Sequence, residues 1–271
     1  MDAPLSGGNG AAARPATPVP LAAHALGVQA GARQLVHGLS VEFAPGEVVA
    51  ILGRNGSGKT LTLHTLAGLR RPAAGEVALD GVPLGELKRR AIALRLGLLP
   101  QDLEDAFVTT AIETVLIGRH PHLALWQWET AEDERLARAA LAAVDMDDVA
   151  ARRTDTLSGG EQRRVAVAAL LAQQPGIFLL DEPTNHLDPH HQLVVLGLFR
   201  ELARAGRTVI TTLHDATLAA RFADRVLLLH GDGRWTLGAV GEALTAATLS
   251  ELYLAPMMEL EQDGRRVFVG A

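Results

Sequence analysis

Several common features are missing from this 271-residue sequence, and each absence removes a class of protein. There is no cysteine, which excludes disulfides, zinc–thiolate sites and iron–sulfur ligation. The absence of cysteine is compatible with a reducing compartment. No apolar run approaches the ~20 residues that span a bilayer. The first ~20 residues lack the basic start and continuous apolar core of a secretion signal. We expect a disordered tail over residues 1–20, because that stretch is rich in Ala, Gly and Pro.

An excess of positive charge is also missing. The chain has 25 Lys and Arg against 31 Asp and Glu, a net charge of −6. This balance argues against nucleic acid as a partner, since that usually needs a basic surface, although a local basic groove stays open. Hydrophobic residues make up 48% and charged residues 21%, as in soluble globular proteins. The length suits one large domain or two small ones.

The strongest pattern present is a glycine-rich loop between a strand and a helix. Its residues match G-x-x-x-x-G-K-[ST] in full: Gly53, Arg54, Asn55, Gly56, Ser57, Gly58, Lys59, Thr60. The apolar run 48–52 before it predicts a buried strand, and leucines at helical spacing follow it. Backbone N–H groups of such a loop face a phosphate chain, Lys59 lies against the β- and γ-phosphates, and Thr60 offers its hydroxyl to Mg²⁺. A chance glycine-rich turn is the alternative, and the flanking elements argue against it.

Two adjacent carboxylates, Asp181 and Glu182, end the apolar strand that begins at Ile177. Open α/β sheets bind their ligands at this end of their strands. One carboxylate can hold Mg²⁺ and the other can orient or deprotonate an attacking water. A solvated turn is the alternative, and the phosphate loop favours the functional interpretation.

The order of elements predicts an α/β fold. Continuous apolar strands at 96–101, 208–214 and 225–229 alternate with helical segments, which indicates a parallel sheet covered on both faces. Short early strands and a hairpin signal at Asp80-Gly81 predict an antiparallel edge. Residues 102–171 form a helical insert, and its clearest helix begins near Thr130. That helix is predicted to direct one apolar face inward: Leu136, Ala139, Ala140, Ala143, Val144.

The end of the chain, from residue 241, is predicted to hold a helix over 242–253 and then a hairpin. The two strands of that hairpin would run over 257–261 and 265–269, with a turn at Asp263-Gly264. We have no residue-level prediction for the role of this extension.

A second motif, Leu157-Ser158-Gly159-Gly160-Glu161-Gln162, reads locally as a helix start. Ser158 can cap the helix and Glu161 completes a capping box. The same geometry makes Ser158, Gly159 and Gly160 an anion site at a helix N-terminus. The open question is whether this site closes on its own nucleotide or on that of a partner.

These residues resemble the ATP-binding subunit of an ABC transporter, over nearly the whole chain from about Leu21 to Leu229. The family's motifs occur in its usual order: Walker A at 53–60, the Q-loop glutamine Gln101, the signature at 157–162, Walker B at 177–181, the D-loop at 185–188 and the switch histidine His214. Glu182 stands where the family has its catalytic glutamate.

The resemblance implies a P-loop NTPase (RecA-like) core at 21–101 and 172–240, a helical subdomain at 102–171 and an extension at 241–271. It implies catalysis by Glu182, His214 and Gln101. It also implies a Mg²⁺ site at Thr60, Gln101 and Asp181. Two copies would stack head to tail, so that ATP lies between residues 53–60 of one copy and the signature of the other. The signature residues in that site are Ser158, Gly159, Gly160 and Glu161.

The sequence departs from the family at two places. The aromatic residue that usually stacks on adenine is absent from 28–33, so adenine would be held by aliphatic contacts or by Arg33. An arginine common in the helix after the signature is Ala169 here. Neither departure affects the phosphate chemistry.

The run Glu113–His122 is similar to the E-x-V-x-x-G-R-x-P-H run of ATPases that serve importers of ferric siderophores, haem and vitamin B12. It implies two permease subunits, a substrate-binding protein acting through them, and a place on the cytoplasmic face of the cell membrane. A permease helix would dock between Gln101 and the helical insert. We favour haem as cargo, with ferric siderophore and vitamin B12 as alternatives. His120 and His122 could instead be a metal pair or an ordinary loop.

Two other classes stay open. A soluble ABC ATPase for DNA repair would carry a long coiled coil before the signature, and a translation ATPase usually has two units per chain. Only about one hundred residues separate Walker A from the signature here, and there is one unit. A P-loop kinase or GTPase would lack the signature.

Overall fold

The computed structural model describes residues 20–102, 109–124 and 126–271. The strands are β1 Leu21–Ala30, β2 Arg33–Phe43, β3 Val48–Leu52, β4 Ala74–Leu79, β5 Val82–Pro83, β6 Leu96–Leu99, β7 Ile177–Asp181, β8 Thr208–Thr212, β9 Arg225–Leu229, β10 Trp235–Ala239, β11 Met257–Gln262 and β12 Arg265–Gly270. The helices are α1 Lys59–Leu66, α2 Arg89–Ala93, α3 Ala111–Ile117, α4 Ala131–Ala142, α5 Gly159–Gln173, α6 Pro189–Arg204, α7 Ala216–Phe222, α8 Val240–Ala243 and α9 Ala246–Tyr253. Of the tail predicted over 1–20, all but Pro20 lies outside the described residues.

A six-stranded sheet in the order β10-β9-β3-β8-β7-β6 forms the centre of the fold. Its strands run parallel except β10, which pairs antiparallel with β9 at one edge. β3, β7 and β8 are buried along their whole length, which explains why β3 is apolar throughout, β7 is apolar up to its final Asp181, and β8 carries only Val, Ile and Thr. This confirms the predicted α/β class.

The early strands pair antiparallel, as predicted, but they form a separate sheet in the order β2-β1-β4-β5 and not an edge of the parallel sheet. Asp80 and Gly81 both have positive φ, 53° and 74°, at the tight turn between β4 and β5. Helix α1 lies between the two sheets, since Leu63 and Leu66 share one buried cluster with Phe43 and Ile51. The phosphate loop is therefore held by packing on both sides.

Three strands end earlier than predicted, and the difference places the candidate catalytic side chains on loops. β6 ends at Leu99 because Pro100 has no N–H to donate to the sheet. β7 ends at Asp181 and β8 at Thr212. Gln101, Glu182 and His214 thus follow neighbouring parallel strands at the same edge of the sheet.

The helical insert packs α3, α4 and α5 together against the face of the sheet that includes Phe178. The helix predicted to begin near Thr130 is α4, and Thr130 caps it in a capping box with Asp133. The predicted face of α4 was partly wrong, because Ala139 and Ala143 are exposed. The buried face is rotated toward Asp133, Ala137, Ala140, Leu141 and Val144. The cause is Asp133, whose buried bond to Arg119 brings a polar residue inward.

The C-terminal extension differs from the prediction in one respect. In place of one helix over 242–253, the chain breaks at Leu244 and restarts at Thr245, which caps α9. The predicted hairpin is present as β11 and β12, with Asp263 and Gly264 at positive φ in its turn. Phe268 of β12 packs into a buried cluster with Leu249 and Leu252 of α9. Within the described residues no helix is both long and apolar enough to cross a bilayer.

Candidate functional site

The phosphate loop runs from the end of β3 into the first turn of α1. Gly56 and Gly58 have φ of 73° and 103°, a conformation that other residues rarely adopt. A Cβ on Gly53 would lie 2.4 Å from the Ser57 hydroxyl and 2.6 Å from the Leu229 carbonyl oxygen. The loop therefore requires glycine at these positions for its shape, independently of any ligand.

Lys59 folds back over this loop. Its Nζ donates to the Gly53 carbonyl at 2.9 Å and to the Arg54 carbonyl at 3.4 Å. Burial lowers the pKa of Lys59 below its usual range, while the charges of Glu182 and Asp181 oppose that change. The ammonium group thus lies between the loop and the two carboxylates, where phosphate oxygens can replace the carbonyl oxygens as its acceptors.

The oxygen atoms that suit Mg²⁺ converge at the start of α1 and the end of β7. Thr60 donates its hydroxyl to Gln101 Oε1 at 3.3 Å. Asp181 is fully buried; its Oδ1 accepts from the Thr212 hydroxyl at 2.6 Å, while Oδ2 has no hydrogen-bond partner among the described residues. A buried carboxylate oxygen without a partner is costly, so it signals a missing ligand. Hydroxyl, amide and carboxylate oxygens fit magnesium.

Glu182 is held at both carboxylate oxygens. His214 Nε2 contacts Oε1, and the side-chain amide of Asn185 donates to Oε2. Its backbone N–H donates to the Thr212 hydroxyl at 2.8 Å, and its φ is 49°. A non-glycine residue at positive φ in a buried site indicates a conformation that the surroundings impose. The sequence analysis named Asn185 only as part of the D-loop. Its position three residues after Glu182 is the sequence feature that could have indicated this contact.

These side chains share one cavity. The cavity measures about 380 Å³ and is lined by residues that include Lys59, Thr60, Gln101, Glu182 and His214. Ala30 and Leu35 of the β1–β2 hairpin line the same cavity, whereas Arg33 instead donates to the Gly231 carbonyl at 2.7 Å. The apolar contacts available to an adenine ring are therefore aliphatic.

The signature residues lie at a different cavity, of about 460 Å³, which Ser158, Gly159, Gly160 and Glu161 line. The predicted capping box is present: Glu161 N–H donates to the Ser158 hydroxyl at 3.3 Å, and Ser158 N–H donates to Glu161 Oε2 at 2.7 Å. Backbone hydrogen bonding from Ser158 lowers the pKa of Glu161. The two cavities share no lining residue, so one copy of the chain does not bring the signature to its own phosphate loop.

Sequence reasoning missed Arg163. This arginine of α5 is 2% exposed and donates to five backbone carbonyl groups around Gln101 and Glu182. The sequence feature that could have indicated this role is its position five residues after Ser158, one and a half turns into the helix that starts at the signature.

An apolar groove of about 550 Å³ separates the helical insert from the sheet, and its lining includes Leu98, Pro100, Ile117, Ala166 and Ala169. Ala169, at the position where the family often has an arginine, is thus part of the groove wall. Ile117 is 52% exposed there.

The run Glu113–His122 has structural explanations. A Cβ on Gly118 would lie 2.1 Å from the Ala169 carbonyl oxygen, so the close approach of α3 to α5 requires glycine. His122 Nε2 bonds to the Gln173 carbonyl at 2.8 Å, and His120 Nε2 lies 3.7 Å from Glu129. Over the described ranges, no group of three or more His, Cys, Asp or Glu residues lies close enough together to hold a metal ion.

Comparison with protein families matches residues 36–185 to the ABC transporter family. A relative, the hemin import ATP-binding protein HmuV of Gloeobacter violaceus, is 42% identical over 221 residues, which cover 79% of each chain.

Two solved structures are similar over most of the chain. An inward-facing, putative metal-chelate type ABC transporter has a TM-score of 0.81 and 27% identity, covering 93% of this chain and 98% of that one. The dimeric structure of MJ0796, a bacterial ABC transporter cassette, has a TM-score of 0.71 and 26% identity, covering 81% and 98%.

Proposed function

This chain belongs to the ABC transporter family, as an ATP-hydrolysing subunit, and from that premise we propose that it powers the uptake of an iron chelate, with haem as the cargo. The observation that carries the enzymatic part is the single cavity holding Lys59, Thr60, Gln101, Glu182 and His214. The hemin import name of the relative and the metal-chelate title of the structural neighbour support the cargo.

ATP would occupy the cavity with its phosphates against the loop at 53–60. Lys59 would exchange its two carbonyl acceptors for phosphate oxygens, and Ala30 and Leu35 would contact the base. Thr60, Gln101 and Asp181 would hold Mg²⁺, which when bound neutralises charge on the β- and γ-phosphate oxygens.

Glu182 would accept the proton of the water that attacks the γ-phosphorus, while the bond to the β–γ bridging oxygen breaks and ADP leaves. His214 would contact the γ-phosphate. In the described structure His214 and Asn185 each contact one oxygen of the Glu182 carboxylate, which leaves each oxygen a further lone pair to accept a hydrogen bond from a water.

A second copy of the chain would complete each site. The signature cavity is separate from the phosphate-loop cavity, and the donors at the start of α5 have no phosphate of their own copy to contact. Head-to-tail stacking would place the signature of one copy over the ATP of the other. The dimeric neighbour supports this arrangement.

Two permease subunits would dock on the dimer from the membrane side, and a substrate-binding protein would act through them. The apolar groove beside Gln101 fits a permease helix, because it is open, apolar and walled by the loop that holds this glutamine. The subunit would then lie at the cytoplasmic face of the cell membrane. Movement of the helical subdomain would couple the state of the ATP site to the conformation of the permease.

Replacing Ile117 by glutamate is expected to reduce recovery of the permease at least about tenfold in pull-downs from detergent-solubilised membranes, since a charge would face an apolar helix in the groove. The control is Leu69→Glu, another exposed apolar residue, which does not line the groove. Equal recovery with both variants would contradict docking in this groove. Recovery of wild type without any integral-membrane protein would favour a soluble ABC ATPase.

The cargo is tested with the complex of this chain, its co-purified permease and its binding protein in lipid vesicles. ATP turnover is expected to rise several-fold with haem-loaded binding protein and to stay basal with ferric siderophore or vitamin B12. Stimulation by a siderophore or by vitamin B12 alone would replace haem as the cargo and leave the ATPase assignment intact.

A further inference from the structure

Arg163 has an unusual environment for a charged side chain. It is among the largest fully enclosed side chains of the described residues, and each guanidinium nitrogen donates to main-chain carbonyl oxygens. Nη1 donates to the carbonyls of Pro100 and Gln101, the latter at 3.2 Å. Nη2 donates to those of Asp181 and Glu182, the latter at 2.8 Å, and Nε reaches that of Pro183 at 3.4 Å.

These five carbonyl groups belong to two segments that lie far apart in the sequence. One carries Gln101 after β6, and the other carries Glu182 after β7. Arg163 itself belongs to α5, which begins at the signature. One side chain therefore joins the signature helix to the backbone of both Gln101 and Glu182.

The contacts require the geometry of arginine. A guanidinium presents five donors in a rigid plane, while a lysine ammonium offers three from one point. Burial lowers the pKa of Arg163 to about 10, and the nearby charges of Asp181, Glu182 and Asp102 oppose that change. The group stays charged at pH 7, and carbonyl dipoles, not a paired carboxylate, provide its direct contacts.

We propose that Arg163 is a positioning residue, which fixes the backbone of Gln101 and Glu182 relative to each other and carries movement of the signature helix to both. The proposal rests on the catalytic roles proposed for Gln101 and Glu182. Arg163 touches neither the nucleotide cavity nor its lining side chains through its own side chain, so it acts only through the main chain that it holds.

The test is Arg163→Lys, measured as steady-state ATP turnover of the purified chain. We expect kcat to fall about 10- to 100-fold, because misplacement of catalytic groups by about 1 Å can cost 10²-fold. The Kd of the monomer for ATP, measured without turnover, should change less than about threefold, because the hydrogen bonds of Arg163 go to residues 100, 101 and 181–183 and not to the phosphate loop. A role in stability alone would lower the melting temperature without this separation of kcat from ATP affinity.

Arg119→Lys is the matched control. Arg119 is also a buried arginine of the helical insert, and it donates to the Ala172 carbonyl at 2.7 Å and to Asp133 at 2.9 Å. Its partners lie away from Gln101 and Glu182. We expect a similar loss of thermal stability with kcat within about threefold of wild type. Equal kcat losses in the two variants, or an unchanged kcat in Arg163→Lys, would overturn the proposal.

A double variant separates this inference from the site on which it rests. If Arg163 acts through Glu182 and Gln101, adding Arg163→Lys to Glu182→Gln should lower the residual rate by a clearly smaller factor than Arg163→Lys lowers the wild-type rate, because only the part that acts through Gln101 remains. Full additivity would overturn the positioning role. If Glu182→Gln itself kept wild-type turnover, the catalytic role proposed for Glu182 would be refuted, independently of the result for Arg163.

A measurement that leaves Arg163 intact covers the case in which its variants do not fold. Hydrogen exchange of Glu182→Gln, with and without Mg-ATP, should show the amides of residues 101 and 102, of residues 181, 182 and 184, and of the start of α5 changing protection together. Independent changes at these three segments would overturn the proposal.

Discussion

ATP hydrolysis by the Glu182→Gln variant is expected to fall at least about 10²- to 10³-fold, while Mg-ATP remains bound and keeps two copies closed on it. Glutamine has nearly the shape of glutamate but cannot accept the proton of the attacking water. Its amide can still contact His214, so the loop after β7 should keep its conformation. Single-turnover hydrolysis measures the rate, and light scattering with ATP measures the dimer.

The control for this variant is Glu201→Gln. Glu201 is an exposed glutamate that bonds to Arg204 on the surface of α6, and its loss should leave turnover within about twofold. Wild-type turnover in Glu182→Gln would remove Glu182 from the catalytic role. Lost turnover together with lost ATP binding would instead indicate damage to the phosphate loop.

The parts of the site that the sequence predicted are those with a local pattern. Gly53 and Gly58 are required by backbone conformation and close contact, and both conditions are visible as a motif between an apolar strand and a helix. The ends of β6, β7 and β8 meet because parallel strands share an edge. The sequence itself placed Asp181 at the ligand-binding end of a strand, whereas the family resemblance implied that Gln101 and His214 would join it; the predicted ends of β6 and β8 were two residues too late.

The parts that sequence reasoning missed depend on packing between distant segments. Arg163 looks like one more polar residue on a helix until the structure brings two loops to its guanidinium group. Likewise the buried face of α4 is set by Asp133, because its bond to Arg119 places a carboxylate where the apolar pattern predicted an outward position. In both cases a specific long-range partner, absent from any short window, decides which side chain is buried.

The second large effect concerns the signature. Replacing Ser158 by arginine is expected to lower steady-state hydrolysis at least about 100-fold, while the monomer binds ATP with unchanged affinity. The start of α5 is open in one copy and would face the phosphates of the other, so a long cation there would keep the signature from contacting those phosphates. The phosphate loop of the same copy is untouched, because it lines a different cavity.

Loss of the helix cap needs its own control, since it costs about 1 kcal/mol by itself. Thr130→Arg removes the equivalent capping-box residue from α4, away from both cavities. That variant should lose similar stability and keep turnover within about threefold. If both variants lost hydrolysis equally, stability and not the shared site would explain the result.

Mixing two inactive variants tests the sharing between copies directly. Ser158→Arg has an intact phosphate loop and Lys59→Ala has an intact signature, so a head-to-tail pair of one of each contains one complete site. In an equal mixture half of the dimers are mixed, and about one quarter of the wild-type sites are restored. Turnover should reappear on mixing and be absent from either variant alone. No recovery, from copies that exchange freely and bind ATP, would mean that each chain completes its own site, against the separation of the two cavities.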